Sequence, residues 1–204
     1  MSAELIRTLT VEVMRTGLDH GQDLPDLAAA IASVEAAGAG SSTSAPLPDP
    51  FRQQGLAAVD GHATPGARLF AATCGGDTPV QWRVAYPGHD DEEMRRFNAG
   101  YRFAWLAGGH DAPLACPNIG VAITFQAADI HYPSHVHRSP ELYHVIAGEA
   151  SWAWGGDPAI RRPPGDWINH PSGTRHAMTT HDEPMVAFAV WTAHPQSEAV
   201  IVRH

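Results

Sequence analysis

The chain is poor in cysteine, and this excludes two kinds of small protein. Among its 204 residues only Cys74 and Cys116 are cysteines, and they lie far apart and outside any Cys-x-x-Cys pair. A disulfide framework needs several cysteines, and a thiolate zinc site needs paired ones. We therefore expect two inert thiols and no metal held by sulfur.

Basic charge is also scarce. The chain has 13 Lys and Arg residues against 22 Asp and Glu residues, which gives a formal net charge of −9 at pH 7 with neutral histidines. Because there is no Lys/Arg-rich stretch, neither nucleic acid nor an anionic membrane surface is an expected partner. The composition favours a small-molecule substrate instead.

Long apolar runs are missing as well. No stretch approaches the ~18 consecutive apolar residues that a membrane span needs. The N-terminus lacks the basic start and long apolar core of a secretory signal. We therefore predict a cytoplasmic protein with no membrane partner.

The N-terminal part of the chain is predicted to be helical. Leu5, Leu9 and Val13 recur at four-residue intervals with Ile6 beside them, and this apolar stripe indicates a helix that ends near Gly17. A second helix is predicted over 25–38 and a third over 90–98, and the Ser- and Pro-rich segment 39–50 is predicted to be a connector. We interpret residues 1–79 as a helical region that packs on the rest of the protein.

From about residue 80 onward the pattern changes to short β-rich runs between turn signals. The predicted strands cover 81–86, 101–106, 121–125, 142–146, 150–154, 185–191 and 199–202. Their number and spacing are typical of a two-sheet barrel. The sequence thus predicts a mostly β protein, with a β-barrel over 80–204.

Two segments inside this barrel region carry metal-binding residue types. The first contains His135, His137 and Glu141 and ends at Gly148; the second runs from Gly165 through Pro171 and Gly173 to His176. Residues two apart on a strand point to the same face, so His135 and His137 can both face the barrel interior. The same holds for Glu141 and Tyr143.

Three imidazoles and one carboxylate form a mixed nitrogen and oxygen ligand set, predicted to be His135, His137, Glu141 and His176. Such a set suits one divalent transition metal, and Fe, Zn, Mn, Co and Ni remain equally open. A chance cluster among 13 histidines would not also supply the glutamate and the Pro-x-Gly-x-x-His turn.

These two segments resemble the two motifs of the cupin superfamily. The resemblance implies a C-terminal cupin barrel (double-stranded β-helix, jelly-roll) and, by analogy, a homodimer. The chain departs from the usual pattern at Asp129, where the family has Gly, and at Thr180, where it has Asn. Both positions serve turn and strand geometry, so the metal prediction is unaffected.

A narrower resemblance covers about the last third of the chain. The run Tyr132-Pro133-x-His135-x-His137-x-x-x-Glu141-x-Tyr143-His144, followed by His176 and Trp191, resembles the cupin-type dimethylsulfoniopropionate (DMSP) lyases. It implies that Tyr132 and Trp191 bind the substrate and that Tyr143 accepts its proton. The implied reaction is a metal-dependent β-elimination of DMSP to dimethyl sulfide and acrylate by a carbon–sulfur lyase.

The residues support this chemistry independently. A metal that binds the substrate carboxylate would stabilise the enolate-like charge formed when the α-proton leaves. Tyr143 shares a strand face with Glu141, and a nearby cation would lower a phenol pKa from about 10. Tyr132 is the competing base; it lies three residues before His135 and so on the opposite face, unless Pro133 introduces a bend.

Other aromatic residues and histidines receive structural interpretations. Tyr101, Phe103 and Trp105 alternate along one face, as in an ordinary half-buried strand or as a further wall of the substrate pocket, and the strand interpretation is favoured. Trp152 and Trp154 are predicted in the core. His144 is predicted to face away from the barrel interior. His170, just before Pro171, is interpreted as a surface residue or a neighbour of a ligand.

Two other functions keep the same metal site. One is another metal-dependent cupin enzyme, a dioxygenase or an isomerase, that acts on a small carboxylate. The other is a non-catalytic, ligand-binding cupin, although the N-terminal helices have no basic cluster that would contact phosphates. Oxygen dependence would identify a dioxygenase, because a β-elimination does not consume oxygen.

Overall fold

The computed structural model describes residues 2–20, 23–41, 43–89 and 91–203. Asp90, which the sequence placed at the start of a helix, and Ser42 in the connector lie outside them. Helices occupy five segments in this part of the chain: α1 (Ala3–Leu18), α2 (Leu27–Glu35), α3 (Phe51–Val59), α4 (Pro65–Thr73) and α5 (Glu92–Gly100). Within it, no helix combines the length and the apolar character that crossing a bilayer requires.

Side-chain caps explain where three helices begin. Ser2 accepts a hydrogen bond from the Leu5 amide, Thr64 from the Ala67 amide and Asp91 from the Met94 amide. Each cap satisfies one of the amide groups that a helix leaves unpaired at its N-terminus. The sequence predicted α1, α2 and α5, although the ends of these helices are shifted in the structure. It did not predict α3 and α4.

Thirteen strands lie among the described residues and form two antiparallel sheets, apart from one short parallel pair. They are β1 (Gly38–Ala39), β2 (Trp82–Arg83), β3 (Tyr101–Ala107), β4 (Leu114–Ala115), β5 (Gly120–Gln126), β6 (His131–Val136), β7 (Glu141–Ala147), β8 (Ala150–Trp154), β9 (Ile160–Arg162), β10 (Trp167–His170), β11 (His176–Thr180), β12 (Met185–Trp191) and β13 (Val200–Ile201).

The large sheet has the order β1-β4-β3-β5-β12-β7-β10, with β2 paired to β3, and the small sheet has the order β13-β6-β11-β8-β9. Strands adjacent in sequence, such as β6 and β7, therefore alternate between sheets. This is the topology of a double-stranded β-helix, and it confirms the predicted mostly β cupin barrel.

The large sheet buries both faces. Its helix-side face packs on the apolar stripes of α1, α2 and α4, in one hydrophobic cluster that includes Ile6, Phe70 and Phe188. Its barrel-side face packs in a second cluster with the small sheet, around Trp152 and Met178. The boundary between residues 79 and 80 stays a prediction.

Three glycines form turns in the two segments that carry the candidate metal ligands. Gly148 (φ 68°), Gly165 (φ 96°) and Gly173 (φ 74°) all adopt the left-handed conformation that side chains disfavour. At Gly148 a Cβ would also collide with the backbone of Pro184. The amides of Gly165 and Gly173 donate to the carbonyls of Val145 and His137, so these two turns tie the second motif to the first at opposite ends of the barrel.

Candidate metal centre and substrate pocket

The structure brings the three predicted histidine ligands together. His135 on β6 lies directly opposite His176 on β11, and their ring centroids are 4.1 Å apart. His137 follows the end of β6, and one ring nitrogen from each of the three lies within 4.8 Å of the others. All three side chains are buried.

Each of these rings is held in the same way. The Nδ1 atoms of His135, His137 and His176 donate to the carbonyls of Pro133, Ser139 and Thr174, at 2.9, 2.8 and 2.9 Å. Each carbonyl lies two residues from its histidine. This bond fixes the tautomer and leaves Nε2 as the atom that can bind a metal.

Glu141 completes the cluster at the start of β7. Its Oε2 atom lies 3.0 Å from Nε2 of His137 and 3.2 Å from Nε2 of His176, and its side chain is buried. Although burial opposes ionisation, these two imidazoles hold the pKa of Glu141 well below its ordinary value. The group therefore offers an ionised carboxylate oxygen.

The histidines respond differently to the same surroundings. Burial, together with the neighbouring His176, lowers the pKa of His135 to about 3. At His137 burial acts in the same direction, but the hydrogen bond to Glu141 outweighs it and raises the pKa. A cation placed among these groups would displace the proton that His137 and Glu141 share.

The four residues fit a divalent transition metal. They supply three imidazole nitrogens and one carboxylate oxygen, a donor set that such ions accept. The buried Nε2 of His176 lies 3.2 Å from Oε2 of Glu141 but forms no well-oriented hydrogen bond among the described residues, which is costly unless it also binds something else. The donor set does not fix the identity of the metal.

Tyr132 lies on the same side as His135, and a bulge is the reason. Tyr132 is paired with Met178 and His135 with His176, so three steps along β6 match two along β11. The extra residue turns the Tyr132 ring onto His135, with centroids 4.1 Å apart and planes 9° apart. The opposite face expected of a regular strand is therefore wrong, and the alternative of a bend at Pro133 holds.

Tyr143 lies two residues beyond Glu141 on the barrel-side face of β7, as predicted. Its side chain is buried, with Trp152 at 5.5 Å and His170 at 5.9 Å between ring centroids. Burial and the negative charge of Glu141 raise the pKa of Tyr143 well above its ordinary value. Without a nearby cation this phenol stays protonated.

A cavity of about 640 Å³ opens onto the cluster of candidate metal ligands. This volume is typical of small-molecule sites. His135, His137 and Glu141 line it. All four tyrosines of the chain also line it, namely Tyr86, Tyr101, Tyr132 and Tyr143. Trp191 contributes a further wall, where its ring lies 4.9 Å from that of Trp105.

Sequence reasoning missed Tyr86 as a pocket residue. Tyr86 lies in an irregular segment, and its hydroxyl is 2.7 Å from that of Tyr132. Phe103 and Trp105 lie on a half-buried strand, as favoured, and also line the cavity, as the alternative allowed. No pattern around Tyr86 signals its role, because only the packing of the loop on α5 brings it to the pocket.

Two further buried histidines, His144 and His170, lie on opposite faces of the large sheet. His144 points to the helix side of β7 as predicted, where it stacks on Trp167 at 4.7 Å. His170 is the last residue of β10, only 1% exposed, and stacks on His176 at 4.0 Å. The interpretation of His170 as a surface residue is therefore wrong, and it is a neighbour of a predicted ligand.

Known proteins are similar to this chain in sequence and in architecture. A model of the dimethylsulfoniopropionate lyase family matches residues 55–187, more than half of the chain. The dimethylsulfoniopropionate lyase DddQ of Ruegeria pomeroyi (strain DSS-3) is 34% identical over 125 residues, which are 60% of this chain. The alignment spans 59% of the length of DddQ.

Solved structures agree over almost the whole chain. The crystal structure of DMSP lyase DddQ from Ruegeria pomeroyi DSS-3 superposes with a TM-score of 0.70 and 24% identity, covering 98% of this chain and 96% of that one. A chain from the crystal structures of the DMSP lyases RdDddP and RnDddQII gives 0.66 and 21%, covering 99% and 100%. These matches show the shared fold, and the family match shows the relationship: the chain belongs to the dimethylsulfoniopropionate lyase family.

Proposed function

We propose that this protein cleaves DMSP to dimethyl sulfide and acrylate by a metal-dependent β-elimination. The observation that carries the proposal is a buried cluster of three oriented imidazoles and a carboxylate that opens into a cavity lined by all four tyrosines. Membership of the DMSP lyase family supports this substrate over other small carboxylates.

His135, His137, Glu141 and His176 would hold the metal through the atoms that face one another in the cluster. A bound divalent cation would supply a Lewis acid for the substrate carboxylate and a positive charge that lowers the pKa of nearby phenols. The buried Glu141 carboxylate offsets part of that charge. The carbonyls of Pro133, Ser139 and Thr174 keep the three rings in position when the metal leaves.

Tyr143 is the proposed base. It lies on the same strand face as Glu141 and lines the cavity. Its phenolate oxygen takes the proton from the carbon next to the carboxylate. The electron pair of that C–H bond forms the C=C bond of acrylate, and the C–S bond breaks so that sulfur leaves with its electron pair as neutral dimethyl sulfide.

Tyr132 is better suited to binding than to proton transfer. Its hydroxyl pairs with that of Tyr86 at 2.7 Å, and burial raises its pKa well above the ordinary value. Its ring and that of Trp191 line the cavity on which the sulfonium end of the substrate would lie. Aromatic faces attract such a cation through their quadrupoles.

The test is release of dimethyl sulfide from DMSP by the purified protein loaded separately with Fe²⁺, Zn²⁺, Mn²⁺, Co²⁺ or Ni²⁺. We expect release by the parent with at least one metal, and loss of release in Tyr143→Phe and His176→Ala. A folded, metal-loaded parent that releases no dimethyl sulfide would contradict the proposed substrate. The cytoplasmic location and the homodimer stay predictions.

A further inference from the structure

Among the described residues, His170 is the one buried histidine whose two ring nitrogens both lack a hydrogen-bond partner. Five histidines are buried in the described part of the chain: His135, His137, His144, His170 and His176. Four of them give Nδ1 to a backbone carbonyl. His170 is 1% exposed, and neither Nδ1 nor Nε2 has a hydrogen-bond partner among the described residues.

Leaving these two nitrogens unpaired is unfavourable. A buried polar group without a hydrogen bond has lost the hydrogen bonds it makes in water and gained none in exchange. An apolar ring at this position would keep the packing against His176 without that cost. The imidazole therefore indicates a ligand that the protein atoms alone do not provide.

The surroundings of His170 indicate what that ligand is. His170 pairs in register with Glu141 across β10 and β7, and its ring stacks on His176 at 4.0 Å. One ligand atom from each of Glu141, His170 and His176 lies within 4.8 Å of the others, and all three side chains are buried. Two nitrogens and a carboxylate oxygen at this spacing suit a divalent transition cation.

This inner set differs from the outer set of His135, His137, Glu141 and His176, with which it shares Glu141 and His176. His135 and His137 line the substrate cavity, whereas the described lining includes neither His170 nor His176. An ion held by the inner set therefore lies farther from the substrate. Because the two sets share Glu141 and His176, one ion occupies one set at a time.

We propose that Glu141, His170 and His176 form a second, inner position for the metal ion, with His170, which lies between Gly165 and Pro171 of the second segment, as an additional ligand. The proposal rests on the proposed metal centre and adds an alternative position within it. A single bound ion is distributed between the outer position next to the substrate and the inner position.

The first experiment uses Cu²⁺ as a probe with one equivalent per chain and electron paramagnetic resonance as the readout. The parent is expected to give two overlapping copper signals, and His170→Phe, which keeps the stacked ring and removes both nitrogens, to give one. His144→Phe is the matched control, since it removes a buried imidazole from the other face of the sheet, and it should keep both signals. A single parental signal that His170→Phe leaves unchanged would overturn the proposal.

The second experiment removes the outer set. The variant His135→Phe/His137→Phe keeps the inner set and is expected to bind one Co²⁺, measured by calorimetry and by visible absorption. Adding His170→Phe should abolish that binding. If the double variant is folded by circular dichroism and binds no Co²⁺, or if the triple variant binds it equally well, the inner set does not exist.

Dimethyl sulfide release from the parent separates the two proposals. Release together with a single copper signal means that the DMSP assignment stands and the inner position fails. Two copper signals without release from any metal-loaded form mean the reverse.

Discussion

The two faces of strand β7 differ in what their side chains do. Leu142, His144 and Ile146 point to the helices and join the hydrophobic cluster there or pack beside it. Glu141 and Tyr143 point into the barrel, next to the three histidines and the cavity. Because both faces are buried, the exposed fraction of a side chain does not by itself distinguish core residues from candidate site residues.

The two faces differ in how closely their side chains are packed. On the helix side, a Cβ added at Gly66 of α4 would lie 2.7 Å from Cγ1 of Ile146, so helix and sheet are in close contact. On the barrel side, the side chains leave a cavity of about 640 Å³ next to ionisable groups. A filled face stabilises the fold, whereas an open face with unpaired nitrogens binds ligands.

The largest expected effect comes from removing a ligand on the barrel side. His176→Ala should reduce dimethyl sulfide release by at least about a thousandfold, because the metal supplies most of the stabilisation of the developing charge. Headspace gas chromatography and metal content by mass spectrometry measure both consequences. His144→Phe, on the helix side, should keep its metal and its activity; an equal loss there would mean that the two faces do not differ.

The next largest effect is expected from the proposed base. Tyr143→Phe should lower kcat by about 10²- to 10⁴-fold, the usual contribution of a general base, while metal content stays unchanged. Tyr132→Phe is the matched control and should lose much less. If Tyr132→Phe loses more activity than Tyr143→Phe, the assignment of the base is reversed.

On the helix side the expected effect is on stability. Phe188 is fully buried against Trp167, so Phe188→Ala should reduce the free energy of unfolding by about 3–5 kcal/mol through a cavity. Urea denaturation measures it. At low temperature the folded fraction should cleave DMSP at nearly the parental rate, and a large loss of kcat there would show that the helix side also shapes the pocket.

His144 should make stability depend on pH. Burial lowers its pKa to about 4, against about 6.5 in the unfolded chain. The unfolded state therefore binds a proton that the folded state refuses, and stability is fully present above pH 6.5 and falls as pH decreases towards 4. The loss is at most about 3 kcal/mol.

Urea denaturation at pH 7 and pH 4.5 tests this effect. His144→Phe should lose less stability over that interval than the parent, since it has no imidazole to protonate. The matched control is His62→Gln, at an exposed histidine, and it should behave like the parent. If the parent and His144→Phe lose the same free energy of unfolding between pH 7 and pH 4.5, protonation of His144 does not cause the loss.

The smallest expected effect concerns the sulfonium end of the substrate. Trp191→Leu should raise KM by about 5- to 30-fold, which corresponds to the loss of a cation–π contact of about 1–2 kcal/mol. Trp191→Phe retains an aromatic face and should raise KM less. If both variants have the same KM, Trp191 contributes only shape to the pocket.

Local patterns were enough to predict much of the fold. Strands β8 and β12 were predicted with the same bounds that the structure shows, because turn signals flank them on both sides. Helices α3 and α4 were missed, although Thr64 followed by Pro65 is a common start of a helix. In the predicted apolar stripe of α1, Ile6, Leu9 and Val13 are buried, whereas Leu5 is 44% exposed.

The sequence by itself was enough to predict the candidate ligand residues, their alternation along β6 and β7, and the family. Those properties are local, because spacing along a strand decides which side chains share a face. The tertiary structure alone decided the face of Tyr132, through a bulge against β11, and the positions of Tyr86 and His170. These depend on how separate strands and loops pair and pack, which spacing within one segment does not specify.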